Sequence, residues 1–291
     1  MRRIREKKEF SPLIIGEKKF DFNRKTYVMG ILNITPDSFS DGGSYDGVED
    51  AVKRAHEMIE EGAHIIDIGG ESSRPGADYV PEKEELERVL PVIKRLVEEV
   101  NIPISIDTYK AGVAKACIEA GAHIVNDISG FKGDPDMANT VAKLKVPCIL
   151  MHMRGNSKTM QNNPTYVNLM LELKEELQES IDIALNAGVP REKIILDPGI
   201  GFGKNFNHNL EVLNKLKELE EMGYPILMGA SRKRFIGEIL DAAPEERLEG
   251  SLAVAVVSAR EGANILRVHD VTETVKVLKV TDAIKNMKLE D

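Results

Sequence analysis

Residues 196–204 read L-D-P-G-I-G-F-G-K, a short apolar run that ends in an acid and then breaks into glycines. Lys193 to Leu196 predict a buried strand with Asp197 at its carboxyl end. Gly199, Gly201 and Gly203 can take φ values closed to other residues, so a ligand could approach the main chain closely here. Two familiar glycine motifs are excluded by register. A phosphate-cradling P-loop needs glycine where Pro198 stands, and a dinucleotide fingerprint needs it where Lys204 stands. The plainer alternative for this segment alone is an ordinary strand-to-helix turn with a capping acid.

Working outward, the same kind of unit repeats from Tyr27 onward: a short apolar run, an abrupt polar or glycine-containing loop, then an amphipathic helix ending near a glycine. The runs are residues 27–33, 64–70, 102–108, 123–130, 146–153, 193–200, 225–231 and 264–270. Eight such units predict a closed (β/α)8 TIM barrel, and 291 residues lie close to the roughly 250 typical of that fold. Val48, Val52, Ala55 and Ile59 are spaced for one buried helix face, with Gly62 at its end. Leu86, Val89, Ile93, Leu96 and Val100 mark a second helix, in which Pro91 predicts a kink or a late start. An open doubly wound sheet gives similar alternation, and periodicity alone does not separate the two. Before the first unit, residues 10–25 alternate apolar and polar around Gly16 and Glu17, which predicts a short β-hairpin able to act as a lid for the barrel bottom. The expected organisation is therefore an N-terminal extension over 1–25 and a single barrel domain over 26–291, with no compositional break between 26 and the end.

Composition narrows the function classes. The chain is 42% hydrophobic and 30% charged, and no apolar run approaches the roughly 20 residues of a membrane span. Its start, M-R-R-I-R-E-K-K-E, carries charges where a signal peptide has its apolar region. A soluble, cytoplasmic protein is expected. Cys117 and Cys148 lie in apolar segments without metal-ligand spacing, as buried free thiols do. The formal net charge of -9 argues against a nucleic-acid partner, which needs a basic face.

In a closed barrel the carboxyl ends of the strands share one mouth, where this fold places its chemistry. The residues expected there are Asn33, Asp67, Asp107, Asn126, Met151, Asp197, Ser231 with Arg232 and Lys233, and Arg267 with His269. Strand alternation puts Arg267 and His269 on one side of the last strand, so both could reach one anion. Two βα loops are longer than a turn requires. Residues 33–45, N-I-T-P-D-S-F-S-D-G-G-S-Y, carry the aromatic Phe39; residues 69–77, G-G-E-S-S-R-P-G-A, carry hydroxyls and Arg74. Loops of this kind often close over active sites.

Taken together, N-I-T-P-D-S-F-S-D-G-G, E-S-S-R-P-G, S-I-D-T, N-D-I-S-G, D-P-G-I-G-F-G-K, G-A-S-R-K and R-V-H-D resemble, in order, the motifs of the dihydropteroate synthase family, the folate-pathway enzymes inhibited by sulfonamides. The resemblance runs from about Met29 to Asp270. It implies a barrel transferase that joins 6-hydroxymethyl-7,8-dihydropterin diphosphate to 4-aminobenzoate, giving 7,8-dihydropteroate and diphosphate. It also implies roles. Asp197 would accept two parallel hydrogen bonds from the guanidinium-like edge of the pterin. Asn126, donor and acceptor at once, would meet a mixed edge, and Asp107 a ring nitrogen and the cationic transition state. Lys233 would donate to the pterin carbonyl and ring nitrogen. Met151 and Phe202 would supply apolar surface beside Gly229 of the G-A-S-R-K segment. Arg267, His269, Arg74 and Ser73 would hold the diphosphate, with Asn33 binding a Mg²⁺ ion on it. Phe39, Pro75 and the helix start after Lys233 would form the 4-aminobenzoate pocket once the loops close. The resemblance further implies a homodimer formed through C-terminal helices.

Two positions depart from the family's commonest pattern: Ser73 often appears as threonine, keeping the hydroxyl, and Arg234 often as serine. Three rivals compete. A methyltetrahydrofolate–corrinoid methyltransferase domain shares the counterparts of Asp107, Asn126 and Asp197 but is not expected to carry S-R-P-G, S-R-K or R-V-H-D. A barrel aldolase using Lys233 as a Schiff-base amine leaves the carboxylates and Phe39 unexplained. A non-catalytic paralogue would bind pterin without turnover.

Overall fold

The computed structural model describes residues 10–34, 44–74, 76–155, 158–160 and 164–288. A two-stranded antiparallel hairpin, β1 (Leu13–Ile15) and β2 (Lys18–Phe20), precedes eight parallel strands. These are β3 (Tyr27–Asn33), β4 (Ile65–Gly69), β5 (Ile104–Asp107), β6 (Ile124–Asp127), β7 (Cys148–Met151), β8 (Ile194–Asp197), β9 (Leu227–Met228) and β10 (Ile265–Val268). Each strand pairs with its sequence neighbours, and β10 pairs with β3. The ring closes through a single parallel bridge between Leu196 and Ile226, reinforced by Leu196 N donating to Pro225 O at 2.9 Å. A parallel sheet closed on itself has no free edge, which separates the barrel from the open doubly wound alternative.

Alternation along each strand builds two layers inside the cylinder. The lower layer is apolar: Met29, Ile65, Ile124, Ile149, Ile195, Leu227 and Ile265 form one buried cluster with Leu13, Ile15, Phe20 and Phe22 of the hairpin segment. The hairpin thus plugs the amino-terminal end, as its pattern predicted. Two residues further along five of these strands, the same inward face carries Asp67, Asn126, Met151, Asp197 and Arg267, and β5 adds Asp107. The outward faces, such as Ile66 and Ile68, Ile104 and Ile106, Ile194 and Leu196, pack against the helices in the main core.

The helices follow the predicted faces. In α1 (Ser44–Glu60), Val52 and Ala55 are buried while Val48 and Ile59 are partly so. Gly62 ends that unit at φ +102°, and a Cβ there would press to 3.3 Å from Val275. The second helix, α2 (Glu82–Glu99), corrects one expectation: it starts well before Pro91 and runs through it, so proline marks no late start. Its buried Val89, Val92, Ile93 and Leu96 fix it on the barrel. Strand β9 is shorter than the apolar run 225–231 suggested, because Gly229 and the residues after it belong to the mouth. The remaining helices include α3 (Ala111–Glu119), α4 (Met137–Leu144), α5 (Leu169–Asn186), α6 (Phe206–Asn214), α7 (Arg234–Leu240), α8 (Leu248–Arg260) and α9 (Val271–Asn286). Cys117 and Cys148 are buried free thiols, and among the described residues no helix is long and apolar enough to cross a membrane.

Candidate active site

A cleft opens at the carboxyl ends of the strands. Its polar wall is Ser73, Asp107, Asn126, Asp197, Lys233 and Arg267, and its apolar wall Ile128, Met151, Ile200 and Phe202, with Gly199 and Gly229 between. Asp197 and Arg267, which lie 70 positions apart in the chain, therefore face one space. Ten of the residues singled out from the sequence, Gly199 among them, converge here.

Arg267 organises the polar wall. Its Nε donates to Asp67 Oδ2 at 2.5 Å and an Nη to Asp107 Oδ2 at 2.7 Å. Asn126 Nδ2 donates to the same Asp67 oxygen at 3.1 Å. One N–H of that amide is thereby committed, and its carbonyl oxygen remains to accept from a ligand. Asp67 is fully buried at the centre of this network. It was expected only as a rim residue; the signal for more was an acid inside the apolar run H-I-I-D-I. Burial pushes the Asp107 carboxyl up, to about 7, against the lowering pull of Arg267. The two carboxylates hold Arg267 above the ordinary guanidinium value although burial opposes them.

Asp197 ties its own turn and faces the cleft, whereas the helix that follows, α6, is capped by Asn205. Asp197 Oδ1 accepts from Gly199 N at 2.7 Å, closing the turn. Oδ2 faces the cleft, where a Cβ built on Gly229 would lie 3.8 Å from it. Burial raises this carboxyl to about 6, while the Gly199 N–H, Lys233, Lys204 and Arg267 draw it down. Lys233 stands across the space with Nζ 4.3 Å from the Phe202 ring centroid, and burial and Arg267 lower it to about 8.

The glycine loop differs in one respect from expectation. Gly199, Gly201 and Gly203 do take positive φ, +67°, +84° and +62°. The close approach at two of them comes from the protein's own chain. A Cβ on Gly199 would sit 2.0 Å from His152 O, and one on Gly203 2.7 Å from Arg154 O. The loop is glycine-rich so that it can lie flat on the segment after β7, which leaves Phe202 and Ile200 lining the cleft.

Other expected residues sit further out. His269 lies one residue past the end of β10, so strand alternation does not set its direction, and it is not among the residues lining the cleft; its Nδ1 meets Ser231 Oγ at 3.1 Å. Burial and Arg267 lower its pKa to about 4, so near neutral pH it is an uncharged donor and acceptor. Arg74 is exposed beside the cleft. Arg232 turns away, forming a two-point ion pair with Asp270 that ties the loops after β9 and β10 together. Arg234 is exposed and pairs with Glu238 at 2.7 Å along α7. Asn33 ends β3 at the rim. A Cβ on Gly69 would lie 3.6 Å from Asp107 Oδ2 and 3.7 Å from Asn33 Oδ1, so two hard oxygens border a space that any side chain at 69 would fill. Phe39 and Pro75 lie outside the described residues. Ile128 and Ile200 were not singled out from sequence; each follows a motif acid by one or a few positions and reads locally as core.

The fold and this cleft define a barrel enzyme whose chemistry sits at the carboxyl-terminal mouth, with carboxylates and cations facing one flat apolar shelf. Residues 29–269 match the family described as pterin binding enzyme. The dihydropteroate synthase of Clostridium beijerinckii is 53% identical over 271 residues, 93% of this chain and 98% of that protein. The crystal structure of dihydropteroate synthase from Clostridium difficile in the presence of pteroic acid superposes with a TM-score of 0.87 at 48% identity, over 91% of this chain and 98% of that one. That of the Xanthomonas albilineans enzyme with 4-aminobenzoic acid gives 0.88 at 44% identity, over 94% and 98%. The chain belongs to the pterin-binding enzymes and, within them, to the dihydropteroate synthase family.

Proposed function

We propose that this protein condenses 6-hydroxymethyl-7,8-dihydropterin diphosphate with 4-aminobenzoate, releasing 7,8-dihydropteroate and diphosphate. The observation that carries the reading is the convergence of Asp197, Asn126, Asp107, Lys233 and Arg267 on one cleft floored by Met151 and Phe202. Asp197 accepts from the amino group and adjacent ring N–H of the pterin, and Asn126 and Asp107 meet its other edge. Lys233 donates to the carbonyl side. The ring lies against Met151, Ile128 and Phe202.

Displacement is dissociative: the C–O bond to the diphosphate breaks first, both electrons leave with oxygen, and the resulting cation is delocalised into the dihydropterin. Asp107, in its ionised form paired with Arg267, is close enough to stabilise it. The aromatic amine, uncharged at neutral pH, then forms the C–N bond and gives up a proton to water, so no strong general base is required. Catalysis rests on electrostatic stabilisation of the departing oxygens by Arg267, His269, Arg74 and Ser73, and on alignment of the partners. Asn33 fits a Mg²⁺ role, because this ion takes hard oxygens, keeps much of its water and commonly uses few protein ligands beside substrate phosphates. When bound it would neutralise diphosphate charge. The loops over 33–45 and 69–77 close over the diphosphate and complete the 4-aminobenzoate pocket with Phe39, Pro75 and the start of α7. Arg234, the first residue of α7, has its guanidinium on Glu238.

Exposed apolar side chains on the two packed C-terminal helices, Val257 of α8 and Val280 and Ile284 of α9, support a homodimer formed through these helices. Two free buried thiols suit a reducing cytoplasm. Neither a nucleic acid nor a membrane is needed as partner.

The test is product formation from radiolabelled 4-aminobenzoate and pterin diphosphate with Mg²⁺, wild type against Asp197→Asn. Wild-type turnover with a near-silent variant is expected. An active Asp197→Asn overturns the site assignment. A wild type that binds pterin without turnover points instead to a binding paralogue, and methyl transfer from methyltetrahydrofolate to a corrinoid points to the methyltransferase.

A further inference from the structure

Beneath the glycine loop lies a charge that the reaction does not use. Lys204 is 1% exposed, yet its ammonium touches no carboxylate. Its three partners are uncharged groups: His152 Nδ1 at 2.8 Å, Gly199 O at 3.0 Å and Phe202 O at 3.2 Å. An ammonium has three N–H groups and all three are engaged, whereas a neutral amine could serve only two acceptors. A buried cation without a contact anion is costly, and a methionine would fill the same volume without that cost. The compensating charges stand one step away on either side. Gly199, whose carbonyl accepts from Lys204, is the residue whose N–H is donated to Asp197 Oδ1 at 2.7 Å. On the other side, His152 accepts from Lys204 through Nδ1, so its proton sits on Nε2 and is donated to Glu176 Oε2 at 3.0 Å. Glu176 is held in turn by Arg154. The order from cleft to α5 is Asp197 negative, Lys204 positive, His152 neutral, Glu176 negative, Arg154 positive.

We propose that Lys204 is a positioning residue for Asp197: it fixes the Gly199–Phe202 turn so that the Gly199 N–H stays on Oδ1, and its ammonium supplies a positive charge that keeps Oδ2 an ionised acceptor for the pterin. The inference rests on the pterin reading of the cleft. Two further observations fit it. The main chains are also locked together, His152 N donating to Asp197 O at 2.9 Å. Burial lowers Lys204 to about 7, with Asp197 and Glu176 favouring its ammonium and Arg154 and Lys233 opposing it, so it carries its charge over the acid range in which Asp197 titrates. Those facing Asp197 are Lys233, Lys204 and Arg267. Removing Lys204 leaves Asp197 with Lys233 and Arg267, both of which also serve the substrate. The carboxylate then ionises less readily.

Calorimetric affinity for 6-hydroxymethylpterin from pH 5 to 7.5 tests the proposal in wild type, Lys204→Met, Lys204→Arg and Asp197→Asn. In Lys204→Met the acid midpoint of binding is expected to move up by about one pH unit, which weakens binding about tenfold at pH 5 and less than about twofold at pH 7.5. Lys204→Arg restores the midpoint. A mere tether would lower the melting temperature and leave the midpoint where it was, and that result overturns the proposal. Should Lys204→Met not fold, Lys204→Gln keeps two donors while removing the charge, with the same expectation. A wild type that does not bind the pterin, or an Asp197→Asn that binds it equally well, sinks the pterin reading itself. A wild-type acid limb that vanishes in Asp197→Asn but ignores Lys204 sinks only the role given to Lys204.

Discussion

Arg267 donates to Asp107 Oδ2 at 2.7 Å across the barrel, with its Nε committed to Asp67 at 2.5 Å. A guanidinium has five N–H groups, so two can hold these carboxylates while others remain for an anion. Lysine offers a single point of charge and cannot span both acids with a rigid fork. Arg267→Lys is expected to lower kcat by about 10²–10³, the usual cost of losing a preorganised donor to departing charge. Steady-state kinetics at saturating pterin diphosphate measure it, and a kcat within about threefold of wild type would count against a leaving-group role.

Asp67 holds Arg267 and Asn126 at once while remaining fully buried. Asp67→Asn keeps the volume and removes the charge. Breaking a buried pair by deleting one partner typically costs about 3–5 kcal/mol, and the lower end is expected because Asp107 still faces Arg267. Urea unfolding should show a lower midpoint at unchanged m, corresponding to a loss of that free energy. Pterin binding should weaken as well, since Arg267 loses one of the two charges that hold it in place, while the remaining amide oxygen can still accept from Asn126.

The pH dependence has two limbs. Asp197 accepts from the pterin only when ionised, and burial raises its pKa to about 6. Asp107, raised by burial to about 7, protonates first, so kcat/KM for the pterin substrate should begin to drop below about pH 7 and drop more steeply below 6. Lys233 donates fully only when protonated, and burial with Arg267 lowers it to about 8, so kcat/KM should fall again above pH 8. The free enzyme's groups govern this ratio. Because Asp197 is raised on folding, its effect on stability has the opposite sense to its effect on activity: the contribution is full below its unfolded value and is lost as pH rises through about 6. Lys233→Arg should remove the alkaline limb while leaving the acid one. An alkaline limb unchanged in that variant would exclude Lys233 as its source.

Sequence made the barrel legible because a closed parallel sheet needs eight apolar runs with alternating faces, and the runs were present at regular spacing. The polar residues at the strand ends were legible for the same reason: an acid, amide or arginine two positions above a buried isoleucine has only the mouth to face. What sequence did not disclose was which polar groups pair with one another. Asp67 and Asp107 look equivalent as letters, yet one is buried under the site and the other lines it. Lys204 reads as the polar end of a loop, and only the folded turn reveals that it lies under Gly199 rather than in solvent. The glycines were read as room for a ligand; Gly199 and Gly203 make room chiefly for residues 152–154. Arg232 and Arg234, adjacent to Lys233, differ from it through φ and helix position, which set Arg232 on Asp270 and Arg234 on Glu238.

Order of addition follows from the loops. If residues 33–45 and 69–77 form the 4-aminobenzoate pocket only after closing on the leaving group, that substrate should bind weakly by itself and at least about tenfold more tightly with diphosphate and Mg²⁺ present, a coupling of about 1.4 kcal/mol. Calorimetry with and without diphosphate measures it. Equal affinity in both would show a pocket that exists without closure.

Gly229 tests the shape of the pterin site independently of charge. Its φ is not in the left-handed region, and a Cβ there would stand 3.8 Å from Asp197 Oδ2 and 4.0 Å from the Arg267 side chain, ordinary van der Waals contact. Gly229→Ala should therefore fold with little loss of stability. The added methyl projects over the Asp197 carboxylate at the wall of the cleft, where a planar ring must come close enough for two parallel hydrogen bonds. Affinity for the pterin should fall about tenfold or more, in line with the sensitivity of packed sites to one methyl group, while the melting temperature changes by only a few degrees. A variant that loses stability yet binds the pterin normally would mean that the ring does not lie over Gly229 and that the heterocycle enters the cleft from another side.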